Sequence, residues 1–203
     1  MRTRPVVTAI VAVAVAVGVA ACSPNEEPSD MPHDMSTMST PHHMPSASAP
    51  ATGEHNAADT MFAQMMLPHH EQALVMSDII LGKSDIPQQV TDIAKQIKDA
   101  QDPEIAQLKE WLTTWGEPVS VPMDHEMDGM LSEAELQQLR EAQGNAAAKL
   151  FLEQMIEHHE GAVDMAEDEI EDGKNADSIA MARSIVESQQ KEIDTMKEML
   201  KGL

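Results

Sequence analysis

From residue 58 onward the apolar positions follow a helical period. Phe62, Met66, His69, Ala73, Met76 and Ile80 recur at alternating steps of four and three, which on an α-helix forms one continuous stripe facing a core. The same stripe returns as Phe151, Met155, His158, Ala162 and Met165. His70 and His159 fall on the adjoining stripe, beside Leu67 and Leu74 or Ile156 and Val163. Downstream, Ile93, Ala94, Ile97, Glu104, Ile105, Leu108 and Leu112 are matched by Met181, Ala182, Ile185, Glu192, Ile193, Met196 and Leu200. The repeated unit is a helical hairpin, present twice.

Gly and Pro punctuate the pattern. The first helix is predicted over about 59–81, ending at Gly82, with Pro87 in the first turn of a second helix that runs to about residue 114. Pro103 should bend or break that second helix, and Pro68 should kink the first or mark its start. Residues 115–131 read as a linker because Pro118, Pro122 and Gly129 interrupt regular structure. Ser132 and Glu135 form a capping box that opens a short helix over 132–143, and helices over about 145–172 and 177–200 complete the second hairpin. The expected fold is all-α, a four-helix bundle of two repeated hairpins (58–114 and 145–201) within one domain spanning 58–201.

The N-terminal part follows other rules. Arg2 and Arg4 precede an uncharged run from Val6 to Ala21, the form of a secretory signal over residues 1–21. The residues before Cys22 resemble a bacterial lipobox, in which the cysteine carries lipid and anchors the chain to the outer face of the cell membrane; a plain signal peptide with an incidental cysteine is the alternative. Cys22 is the chain's single cysteine, so no internal disulfide forms. Residues 22–57 are rich in Pro, Ser, Thr and Ala and are expected to be a disordered tether.

With 35 acidic against 13 basic residues the net charge is −22, which disfavours nucleic acid as a partner. Seventeen methionines in 203 residues change the picture more. Core packing explains some of them. It does not explain Met31, His33, Met35, Met38, His42, His43 and Met44 in the tether, or Met123, His125, Met127 and Met130 in the linker. In the hairpins, Met66, His69, His70 and Met76 recur as Met155, His158, His159 and Met165. One histidine on an apolar face is ordinarily a hydrogen-bonded core residue; the doubled set points to a metal site. Thioether and imidazole together suit Cu(I), and methionine survives an oxidising exported setting in which free cysteine would be consumed.

Enzyme classes that use a fixed motif are excluded by the letters. A di-iron bundle needs Glu three residues before its histidine, where Met66, Leu67, Met155 and Ile156 stand. A His-Glu-x-x-His zinc site needs histidine where Leu74 and Val163 stand. Neither a nucleophile elbow nor a phosphate loop is present.

The segments Met66 to Met76 and Met155 to Met165, with Met127 to Leu136 of the linker, resemble the bacterial family catalogued as domain of unknown function 305, over about residues 58–201. The resemblance implies a ferritin-like four-helix bundle in an exported protein, and some members are implicated in copper binding. The chain departs from its own repeat where Gln154 replaces Met65 and Glu157 replaces Pro68. The expected function is a membrane-anchored, extracytoplasmic Cu(I) buffer or carrier, not an enzyme, with no protein partner named by the sequence. Redox catalysis on bound copper has little support because nothing designates a substrate pocket. The alternative is a structural or interaction lipoprotein whose buried His-His-Glu motifs hold helix register.

Overall fold

The computed structural model describes residues 53–120 and 128–203. Within them lie α1 (Ala57–Leu81), α2 (Gln88–Trp115), α3 (Glu133–Glu141), α4 (Gly144–Asp172) and α5 (Ala176–Leu200), and no strand. α1 pairs with α2 and α4 with α5 as two hairpins, which meet mainly through α1 and α4.

Each start has a local cause. Asn56 caps α1 by accepting from the Ala58 and Asp59 amides, and the Asp59 carboxylate accepts from the Asn56 N–H in return, closing a capping box. Ser132 and Glu135 do the same for α3, as the sequence predicts. At the end of α2, Gly116 adopts a left-handed φ of 75°, which a side chain would disfavour.

Pro68 and Pro103 lie inside α1 and α2, which continue through them. A proline removes one backbone hydrogen bond. Fully buried neighbours hold α1 on both sides of Pro68, with Met66 before it and His69 and His70 after it, so packing outweighs the lost bond.

α1 and α4 run antiparallel. The Asn56 side chain at the start of α1 donates to the Asp172 carbonyl at the end of α4, and the Asp59 carboxylate accepts from the Lys174 and Asn175 amides. At the opposite end, α3 packs on both helices. Lys83 donates to the Arg140 and Ala142 carbonyls, and Leu136 and Leu139 join the core formed by Met76, Ile80, Phe151 and Leu152.

The apolar interior is divided in two. One cluster holds Ala73, Met76, Ile93, Ile97, Phe151, Met155 and Ile193; the other holds Phe62, Met66, Leu67, Leu108, Ala162, Ala166 and Ile185. Along α1 the change from one to the other falls between Leu67 and Ala73, and along α4 between Ile156 and Ala162. His69, His70, His158 and His159 occupy that boundary.

Candidate metal centre

All four histidines are completely buried. The repeat brings them together because α1 and α4 cross antiparallel at the same point of the motif. The His69 and His158 rings lie 3.7 Å apart between centroids, tilted by 38°, and His158 and His159 are 6.3 Å apart.

The four divide into two kinds. His70 Nε2 sits 2.9 Å from Glu104 Oε2, and His159 Nε2 sits 2.8 Å from Glu192 Oε2. A carboxylate only accepts, so these nitrogens carry the protons, and the tautomer leaves a lone pair on each Nδ1. Both Nδ1 atoms are buried without a partner. This is the arrangement by which carboxylates orient metal-ligating imidazoles. His69 and His158 have no such support, and neither ring nitrogen of either residue makes a hydrogen bond. The Asp128 backbone lies near enough to His69 to favour its protonation slightly, without reaching hydrogen-bond geometry.

Burial drives the electrostatics. Desolvation pushes the His69 pKa down to about 3, helped by the nearby His70 and His159, and holds His158 well below the ordinary imidazole value with help from His69, His159 and His70. His159 is lowered by the same burial, opposed by its bond to Glu192. His69, His158 and His159 are therefore neutral at pH 7 and present lone pairs. Six buried ring nitrogens are without partners, where a buried polar atom left unpaired costs about 1–3 kcal/mol.

Among the described residues, no group of three or more His, Cys, Asp or Glu side chains is placed to hold a metal ion. The reason is steric. The His69 and His158 rings lie 3.7 Å apart and tilted by 38°, and they must turn for a nitrogen of each to reach one ion at about 2 Å. The remaining soft donors are thioethers. Met66 stands three residues before His69 and Met155 three before His158, about 4.5 Å along each axis, and both are fully buried. The antiparallel crossing places them on opposite sides of the pair. Met76 and Met165 lie seven residues beyond their histidines, about 10 Å along the axis, Met76 in one core cluster and Met165 packed against the other.

Met130 is half-buried in the last residues of the linker. Its neighbours are pinned over the site. The Gln72 amide donates to the Leu131 carbonyl at 2.8 Å and accepts from the Leu131 N–H at 2.7 Å. A Cβ on Gly161 would fall 2.2 Å from the Asp128 carbonyl oxygen, and one on Gly129 2.7 Å from that of Glu157. Only glycine admits this crossing. Met31, His33, Met35, Met38, His42, His43, Met44, Met123, His125, Met127 and the lipidation candidate Cys22 lie outside the described residues.

Sequence reasoning missed Glu104 and Glu192 as partners, although their matched positions in the repeat were the available signal. It also missed Gln101 and Gln189, buried one turn before those glutamates, and Gln72, which occupies the position of Gly161 in the repeat.

The chain is similar to several solved structures. A DUF305 fragment from Deinococcus radiodurans is 34% identical, with a TM-score of 0.68, covering 73% of this chain and 98% of that one. A DUF305 protein from Streptomyces coelicolor, described as secreted, is also 34% identical with a TM-score of 0.68, covering 71% and 93%. CopM in its Cu(I)-bound form is 31% identical with a TM-score of 0.60, covering 71% and 96%. No curated protein matches the chain. The helical fold, the doubled His-His-Glu motif and a family model that matches residues 59–200 agree: the chain belongs to the DUF305 family, a domain of unknown function.

Proposed function

We propose that this protein binds Cu(I) outside the cytoplasm, as a buffer or carrier and not as a catalyst. The observation that carries the reading is the set of six unpartnered, enclosed ring nitrogens on four histidines of which two are oriented by Glu104 and Glu192. His69, His70, His158 and His159 hold the ion, with Met66 and Met155 as the adjacent thioethers; Met76 and Met165 stand farther out. A neutral, soft donor set of this kind favours a monovalent soft ion over zinc or a hard divalent cation. The similarity to CopM, whose structures include Cu(I)-, Cu(II)- and Ag-bound forms, supports the same cargo.

The four long helices suit a ferritin-like bundle, and the tether and linker methionines and histidines serve to capture the ion. Lipid on Cys22 would keep the protein at the outer face of the membrane; among the described residues no helix is long and apolar enough to cross one. Mass spectrometry of the exported protein checks the lipid, which Cys22→Ser must abolish.

A competition titration with a Cu(I) chelator under reducing conditions tests the main reading. Replacing all four buried histidines by alanine must sharply weaken competition by the helical domain; unchanged affinity overturns the proposal. The His70–Glu104 and His159–Glu192 bonds also favour a second reading, in which they only lock α1 to α2 and α4 to α5. In that case Cu(I) leaves the melting temperature of the wild-type protein unchanged, whereas a bound ion raises it.

A further inference from the structure

The two ends of the α1/α4 crossing are related by the repeat, and they are finished differently. At one end α3 covers the pair of helices, sealing Leu150, Gln154, Met76, Ile79 and Ile80; the Gln154 side chain reaches the Glu135 carbonyl of α3 at a long 3.4 Å. At the other end the corresponding positions are Met61, Met65, Met165, Asp168 and Glu169, and a groove of about 410 Å³ stays open between the helices. Leucine, glutamine and isoleucines are exchanged for thioethers and carboxylates where the covering helix is missing.

Three features of this groove point to a cation. Met61 is 59% exposed and Met65 and Met165 are only half-buried, a placement that gives up part of the burial for which methionine is ordinarily used. Glu169 lines the groove while only 1% exposed, and neither carboxylate oxygen makes a hydrogen bond of normal geometry although Asp59 and Ser178 lie close. Asp168 and Asp172 add negative charge at the rim. Met65 and Met61 precede His69 by four and eight residues, and Met165 follows His158 by seven, so with antiparallel helices all three lie on the same side of the histidines, displaced by about 6–12 Å.

We propose that this groove is a second, solvent-facing site for a soft monovalent cation, bound by the thioethers of Met61, Met65 and Met165 with the Glu169 carboxylate behind them. It rests on the soft-metal reading of the protein but uses none of the four histidines. Thioethers supply softness without charge, and Asp168 and Asp172 at the rim supply negative charge that balances the ion. An open position lets the ion exchange with solvent, which the enclosed histidines do not.

The full-length protein, carrying carbon-13 methionine methyl groups, is titrated with Ag(I), a redox-stable probe of the same softness. The methyl signals of Met61, Met65 and Met165 are expected to shift together and to saturate with one equivalent bound in the groove, beyond whatever the other sites take up, and still to do so in His69→Ala/His158→Ala. A Met61→Leu/Met65→Leu/Met165→Leu variant conserves volume and should keep the wild-type melting temperature while losing that equivalent. Shifts that fail to saturate, or that merely accompany those of the tether methionines, overturn the site as adventitious binding. Groove signals that respond to removal of the tether and not to Ag(I) also overturn it, because a chain segment then fills the groove as α3 fills its counterpart. If the groove saturates while the His69 and His158 imidazole signals stay fixed, the histidine centre fails and the groove stands; the converse removes the groove alone.

Discussion

In the first hairpin the carboxylate that holds His70 is 19% exposed. In the second, Glu192 on His159 is 7% exposed and also accepts from Gln96. The divergence widens one residue after the His-His-Glu motif, where Gln72 ties down the Leu131 backbone while Gly161 lets Asp128 press against α4. The repeat thus governs the centre, where like helices cross, and the linker and α3, which occur once, govern everything around it. Symmetry delivers the cluster of imidazoles, and asymmetry decides which side is covered.

The largest effect tests the symmetric centre. Replacing His69, His70, His158 and His159 by alanine should weaken Cu(I) binding by the helical domain by more than the roughly 10–100-fold that losing an orienting partner costs. Glu104→Gln and Glu192→Gln should each weaken it by about 10-fold, with Glu192 the more sensitive because its surroundings are drier. Equal losses at the two glutamates, measured by chelator competition, would show that the exposure difference is immaterial.

Stability tests the asymmetry. Gly161→Ala should lower stability by about 1–3 kcal/mol in denaturant unfolding, since the added methyl meets the Asp128 backbone and outweighs alanine's helix propensity. Gln72→Ala should cost about 1 kcal/mol through its two bonds to Leu131.

A last test is the pH dependence of the metal-free protein. His69, His158 and His159 bind protons less readily folded than unfolded, so their contribution is complete above about pH 6.5 and is lost as pH falls from there toward 3. Glu169 acts in the opposite sense. Burial raises its pKa to about 7, so folding favours its protonated form and is penalised as pH rises from about 4.5 to 7. Glu169→Gln should therefore raise stability at pH 7 and steepen the acid loss between pH 6.5 and 4.5, followed by chemical denaturation at a series of pH values.

The doubled stripe made the two hairpins and the inward direction of His69 and His158 legible. Periodicity carries this information because helical side chains three and four apart share a face. Three facts are not written in periodicity: that α1 and α4 cross at their matched histidines, that Glu104 and Glu192 reach back from the second helix of each hairpin, and that α3 covers one groove and leaves the other open. Each depends on how separate helices rotate and slide against one another. The persistence of α1 through Pro68 is of the same kind, since buried neighbours on either side overrule a local preference.

By itself the sequence determined that two like hairpins exist and which stripe of each faces inward, because that information is local and repeats every few residues. Only the tertiary structure decided which imidazoles are braced by carboxylates, which stand unpaired against each other, and which methionines face solvent. Those outcomes are set by contacts between residues 30 to 100 positions apart, which no window along the chain contains.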